Sequence, residues 1–431
     1  MQGKESRFVP FRLFQNLRIF ILKTGPGCDI IGKKAVVTMQ AFTYLSPTEV
    51  VFGKDTQCQT ADYVSKYGGR RVLIVYGGSS VQKSGLLEQV CRLLETAGLP
   101  YRAFGGAKPN PTLDHAQDGI RAAMEFQADF ILAVGGGSAI DTAKAIAIGA
   151  ANPAVDIWEY WSGQSVPAVA LPVGVILTIS AAGSETSNSA VLTNLATGSK
   201  RGLSSDLNRP KFAIMNPELT YTLPVYQVAC GVTDIMMHTL DRYFNPLDNE
   251  LTDAIAEALL RTVIASGRVA VSDTHDYDAM SELMWAGSLS HNGLTGLGGQ
   301  PDFAVHQLGH ELSAMFDTAH GASLATVWGS WARYVCKTRV ARFARYAKNV
   351  WGLENADETE LALAGIRATE EYFRSIGMPT SFGENNDVGV QPDEVVQDLA
   401  YRCSFQRSRT IGSFRVLDEQ DIAQIYRNAN H

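Results

Sequence analysis

Apolar positions in the first half of this chain come in short, nearly unbroken runs. Each run ends in glycine or a polar turn and is followed by apolar residues at helical spacing. Such runs predict strands buried on both faces, at Glu49–Phe52, Arg71–Tyr76, Tyr101–Phe104, Asp129–Val134 and Lys211–Met215, with another over Val169–Pro172 and Val175–Thr178. Between them Thr60–Tyr67, Ser84–Ala97, His115–Phe126 and Ala139–Ala147 carry the period of helices. Strand and helix in alternation imply a parallel sheet with ligand at the carboxyl ends of its strands. Past about residue 217 the strand pattern stops. Helices are predicted over Pro224–Tyr243, Asn249–Ala270, Ala279–Asn292, Pro301–Met315, Ser323–Gly352, Thr359–Ile376 and Glu419–Asn428.

The expected fold is therefore an α/β N-terminal domain with a Rossmann-like parallel sheet, over 39–217, and an all-α C-terminal domain over 218–431. Residues 1–38 read as an N-terminal extension. Their basic-apolar run, Arg12–Leu22, has a signal-like length but no small-residue cleavage pattern after it.

Composition narrows the function classes. The chain has 431 residues, 45% hydrophobic and 19% charged, as in an ordinary soluble protein. A net charge of −7 argues against nucleic acid or an anionic membrane as partner. Six cysteines, with no C-x-x-C pair, form neither a disulfide framework nor a thiolate zinc site, which suits a reducing cytoplasm. Cys230 reads as a buried small hydrophobe.

Two stretches concentrate the chemistry. Asp129–Val134 runs into Gly135-Gly136-Gly137-Ser138 and then a helix, so backbone N–H groups and the helix dipole face an incoming phosphate. The usual G-x-G-x-x-G is missing, and a purely structural glycine turn is a standing alternative. The second stretch is Asp234 and His238, four residues apart on one helical face, with His306, His310 and His320 further on. One carboxylate and three imidazoles suit Fe(II) or Zn(II). An unbroken helix would hold His306 and His320 roughly 21 Å apart, so both could ligate only if the chain turns near Asp317–Gly321. Spacing alone leaves open whether His310 takes part. Ordinary core histidines are the bland reading.

The motifs D-x-x-x-H and H-x-x-x-H-x9-H-G, in this order after a glycine-rich half, resemble the iron-containing (group III) alcohol dehydrogenases, in particular their NADPH-dependent butanol dehydrogenase and aldehyde reductase branch. The resemblance runs from about Met39 to the C-terminus. It implies metal ligation by Asp234, His238, His306 and His320, and a non-ligand His310 near the substrate as candidate proton relay. It also implies cofactor contacts at Gly136, Gly137, Ser138, Asp141, Asn110, Thr178 and Lys200. At Gly77, Gly78, Ser79 and Ser80 the family's NAD-preferring members carry an aspartate matching Ser79. Small neutral residues here favour NADP(H), since a carboxylate would repel a 2′-phosphate.

The implied activity is hydride transfer between NADP(H) and a small primary alcohol or aldehyde, butanol- or butanal-like, by a cytoplasmic homodimer without membrane or nucleic-acid partners. Leu308, Leu312, Met315 and Phe316 beside the histidines favour an apolar substrate. The rival readings are a glycerol-dehydrogenase-like polyol oxidoreductase using NAD and a dehydroquinate-synthase-like lyase. His291 is expected to be a core or capping histidine, with a place lining the substrate pocket as the alternative, and His115 and His275 to lie on the surface.

Overall fold

The short apolar runs pair into one six-stranded sheet in the computed structural model, which describes residues 40–431. The expectation for 1–38 lies outside the described residues. In chain order come β1 (Glu49–Phe52), α1 (Thr60–Lys66), β2 (Val72–Tyr76), α2 (Ser80–Lys83), α3 (Leu86–Thr96), β3 (Tyr101–Phe104) and α4 (Leu113–Phe126). Then follow β4 (Phe130–Gly135), α5 (Gly137–Ala151), α6 (Ile157–Trp161), β5 (Val173–Leu177), β6 (Ser189–Asn194), β7 (Ser199–Ser204) and β8 (Phe212–Met215). The sheet order is β1-β8-β5-β4-β2-β3, parallel throughout.

Alternation along each strand gives the sheet two apolar faces. Ile74, Phe130, Leu132, Ile176, Phe212 and Ile214 pack with α1 and α3 on one side. Leu73, Val75, Ile131, Ala133, Val175 and Ala213 meet α5 and the edge of α4 on the other. Both sides are dry, which is why the central strands read as continuous apolar runs rather than alternating ones. Phe212 lies among Tyr63, Tyr67 and Phe130, so cutting it to alanine would cost about 3–5 kcal/mol.

The second half is helical: α7 (Val225–Tyr243), α8 (Glu250–Ser272), α9 (Tyr277–His291), α10 (Ala304–Phe316), α11 (His320–Cys336), α12 (Val340–Trp351), α13 (Glu358–Ser375), α14 (Asp393–Cys403) and α15 (Glu419–Ala429). Its core centres on α7 and α11, with Trp328 and Trp331 fully buried. Among the described residues no helix is long and apolar enough to cross a membrane.

The structure departs from the pattern reading in several places, the short helices α2 and α6 among them. Strand β5 begins at Val173, so Val169–Pro172 is not strand. The antiparallel hairpin β6–β7 was not expected, although Gly198, with φ +60°, closes its turn. Ser323–Gly352 is two helices rather than one, because Arg339 leaves helical geometry at φ −156° with its side chain on Asp248 and the Pro246 carbonyl. Neither glycine nor proline marks that break in the sequence. Helix α14, which follows Pro392, was also missed.

Candidate metal centre and cofactor cleft

Helix α7 carries Asp234 and His238 one turn apart, both at least nine-tenths buried. Helix α10 carries His306, and α11 opens on His320. The chain does turn between the last two, near Asp317–Gly321. Asp317 ends α10 in the left-handed region at φ +53°, a conformation aspartate tolerates. Gly321 lies inside α11. There a Cβ would come within 2.2 Å of the Cys230 carbonyl oxygen, so glycine lets α11 close against α7. That close approach puts His320 beside Asp234.

Around Asp234 Oδ1 the imidazole Nε2 atoms stand at 3.4 Å (His238), 3.8 Å (His306) and 3.7 Å (His320). Ligands bonded at ~2.1 Å in a tetrahedron lie roughly 3.4 Å apart, so the spacing suits one divalent ion. Asp234, His306 and His320 offer atoms all within 4.8 Å of one another. His238 meets the set through Asp234 and stands at its margin. Asp234 Oδ1 and His306 Nε2 are buried without a hydrogen-bond partner among the described residues. Such orphaned acceptors are costly unless something else satisfies them, and a cation does so.

His306 Nδ1 shares a 2.5 Å hydrogen bond with Asp241 Oδ2. That bond leaves the Nε2 lone pair facing the site, as in carboxylate–histidine–metal arrangements. Asp241 went unremarked in the sequence, though it sits one further turn along the Asp234–His238 face. Burial pushes His238, His310 and His320 well below the ordinary imidazole range. For His306 burial acts the same way, but Asp241 and Asp234 outweigh it and raise the group to about 9, so a cation and a proton compete for Nε2 and ligation there would release that proton.

His310 also faces the cleft, its ring stacked on His320 at 5.3 Å. The lowered value makes it a neutral imidazole at physiological pH rather than a group poised near 6.5. His291 is no remote core residue. It lines the cleft, its ring 4.1 Å from that of His238 and its Nδ1 2.6 Å from the Ala182 carbonyl. His275 is exposed as expected, whereas His115 is half-buried against Phe104.

One cleft of about 1480 Å³ joins these residues to the glycine turn. Gly77, Asn110, Gly136, Gly137, Ser138, Asp141 and Lys200 line it, while Gly78, Ser79, Ser80 and Thr178 do not. Gly78, Ser79 and Ser80 are exposed at the end of β2. Thr178 donates its N–H to the Gly135 carbonyl and so holds the turn from behind. A Cβ on Gly136 would meet Ile179 at 2.0 Å, which explains glycine there. Asp141 uses both oxygens on the protein, accepting from Ser184 Oγ and the Val191 N–H. Lys200 donates to Asn110 Oδ1 at 2.9 Å, and burial brings it down to about 8.

Lys144, one turn beyond Asp141, is buried and was missed. Its ammonium donates to the carbonyls of Ser184, Ser187 and Ser189, tying the 184–189 segment to α5. The apolar neighbours of the histidines require a correction as well. Leu308 and Leu312 are fully buried in the helical core, with Met315 and Phe316 packed against it, and none of the four lines the cleft. The α10 face that does so presents Gln307, His310, Ser313 and Ala314. A one-residue difference in helical phase separates the two faces.

Comparison with known proteins agrees with this architecture. The family described as iron-containing alcohol dehydrogenase matches residues 47–217, and the C-terminal region of the Fe-containing alcohol dehydrogenase family matches 228–430. NADH-dependent butanol dehydrogenase A of Clostridium acetobutylicum is 38% identical over 91% of this chain and 100% of its own length. The NADPH-dependent aldehyde reductase YqhD of Escherichia coli is 37% identical over 80% of this chain and 89% of its own. The crystal structure of an NADH-dependent butanol dehydrogenase A from Thermotoga maritima superposes with a TM-score of 0.87, at 34% identity, over 91% of this chain and 99% of that one. Sheet, helical half, carboxylate–histidine cluster and these matches together make the chain a member of the iron-containing alcohol dehydrogenase family.

Proposed function

We propose that this protein interconverts small primary alcohols and aldehydes, using NADP(H) and one divalent ion, Fe(II) or Zn(II), held by Asp234, His238, His306 and His320. The observation that carries the reading is the convergence of three imidazole nitrogens on Asp234 Oδ1, in the same cleft as the glycine turn. When bound, the ion polarises a carbonyl oxygen as a Lewis acid and the reduced nicotinamide supplies the hydride.

The chain's own residues supply the rest. Asp234 lowers the net positive charge of the centre, and Asp241 holds His306 in the tautomer that leaves Nε2 unprotonated. Gly136, Gly137 and Ser138 bring backbone N–H groups at the start of α5 toward the cofactor phosphates. Lys200 adds positive charge on the facing hairpin. Reduction of an aldehyde consumes one proton from solvent. His310, uncharged and stacked on His320, is placed to pass that proton toward the nascent alkoxide.

NADP(H) is favoured over NAD(H) because Gly77–Ser80 presents no carboxylate to a 2′-phosphate. NAD(H) is the second reading, since two similar butanol dehydrogenases, 38% and 36% identical, carry NADH in their names. Metal analysis coupled to NADPH and NADH oxidation with butanal, with and without chelator, tests the whole. No turnover of any short aldehyde by the metal-reconstituted protein would overturn it.

A further inference from the structure

Four arginines surround the segment that follows α14, and they divide by their partners. Arg402 and Arg407, both exposed, bind Asp398 and Glu419 respectively. Arg201 and Arg409 line the cleft, and among the described residues neither has a carboxylate within ion-pair distance. Both guanidinium groups instead lie over the Phe405 ring, Arg201 at 4.5 Å and Arg409 at 3.4 Å from its centroid. Aromatic stacking orients a guanidinium without neutralising it.

Their hydrogen bonds leave donors unused. Arg409 gives Nε to the Cys403 carbonyl and Nη2 to Gln307 Oε1 at 2.8 Å. Arg201 Nε is buried without a partner, and its Nη1 reaches only the Ser162 carbonyl at 3.5 Å. The loop between them is unusual. Phe405, Gln406 and Arg407 all have positive φ, at 48°, 58° and 68°. Three successive side chains in that sparsely populated region are held there by surrounding contacts, a pattern that accompanies ligand-binding segments.

Arg409 reaches the histidine-bearing wall of the cleft: it is tied to Gln307, which lines the cleft on the same face of α10 as His310. Arg201 joins it there through the shared Phe405 ring.

We infer that Arg201 and Arg409, splayed on Phe405, receive a carboxylate at the far end of the aldehyde, so that short ω-carboxylated aldehydes are the substrate class this cleft selects. The inference rests on the aldehyde reductase reading and sharpens its substrate. A guanidinium with free N–H groups in a partly buried wall is suited to a carboxylate by charge and by fork geometry. An unpaired guanidinium gives nothing to a methyl-ended chain. The other source of such an anion is a cofactor phosphate, and the test separates the two.

The matched pair is 4-oxobutanoate and butanal, equal in carbon number and differing in the terminal carboxylate. Steady-state kinetics on the metal-loaded full chain should give 4-oxobutanoate the higher kcat/KM. In Arg409→Gln the ratio of the two kcat/KM values should fall roughly 10- to 100-fold, the worth of a charge-assisted hydrogen bond. Arg409→Lys should recover part of that loss, and Arg201→Gln should shift the ratio the same way. Calorimetric binding of butanedioate, a non-reacting dianion, should weaken in both glutamine variants with melting temperature unchanged. A wild-type ratio at or below one overturns the proposal. So does a ratio unmoved in Arg409→Gln while the KM for NADPH rises, which assigns the arginines to the cofactor. Failure to reduce either aldehyde, with butanedioate binding intact and arginine-dependent, sinks the reductase reading and leaves the anion pocket standing.

Discussion

The wall of the cleft bearing the glycine turn offers a ligand its backbone, whereas the wall bearing the histidines offers side chains from three helices. On the first wall, residues within a few positions of each other suffice, and what matters is the absence of a Cβ at Gly136. On the second, Asp234, His238, His306 and His320 must be brought together from segments over eighty residues apart, and α7, α10 and α11 must each hold their phase. A site made of backbone tolerates side-chain change outside its glycines. A site made of side chains tolerates almost none, and its helix packing is part of its chemistry.

The largest expected effects follow from that difference. Asp234→Asn or His306→Ala removes a proposed ligand, and loss of Lewis-acid assistance worth several kcal/mol should lower kcat/KM on the order of 10³-fold. Metal content measured on the same samples should fall with it. Full metal occupancy and near-normal rates in both variants would break the comparison. Asp241→Asn removes no ligand but releases His306, so metal affinity should drop roughly 10- to 100-fold, read by titration against a competing chelator. Gly321→Ala tests the packing: its Cβ lies 2.2 Å from the Cys230 oxygen, and such overpacking costs about 1–3 kcal/mol. Metal occupancy should fall together with melting temperature, because α11 moves away from α7.

The same contrast explains what the sequence alone made legible. Elements with local causes could be read directly: the apolar strands, the D-x-x-x-H face, the glycine turn on a helix start. Asp241 was legible in principle, since it lies one further helical turn along the face of Asp234 and His238. The Arg201–Phe405–Arg409 stack was not, because Arg201 lies some two hundred residues from the other two and no periodicity links it to them. The hairpin β6–β7 was obscured by its polar second strand, Ser199–Ser204, which is half-exposed and carries no apolar run. Helical phase caused the misreading of Leu308 and Leu312. They adjoin His306 and His310 in sequence but turn toward the core.

Beyond the cleft lining, the proposed cofactor choice depends on a single exposed side chain at the end of β2. Ser79→Asp introduces the carboxylate that Gly77–Ser80 lacks. Like charges at close range, discounted for solvent, should raise the KM for NADPH roughly tenfold relative to NADH. An unchanged ratio would show that the selecting contact lies elsewhere.

The smallest effect concerns Lys200, a hairpin cation bonded to Asn110 and acted on by Asp234 and Asp141. Burial lowers it to about 8, against ~10.4 in an unfolded chain. Between those values the unfolded state binds more protons than the native one, so this group's contribution to stability rises with pH across that window. The cofactor contact proposed for it would run the other way, because an ammonium able to attract phosphate is present below about 8 and lost above it. The KM for NADPH should therefore climb roughly two- to fivefold from pH 7 to pH 9, the worth of a partly screened ionic contact. Lys200→Met should start from the higher value and flatten that rise. A rise that persists in the variant would move the titration to another group, Lys144 first, since burial brings it also to about 8.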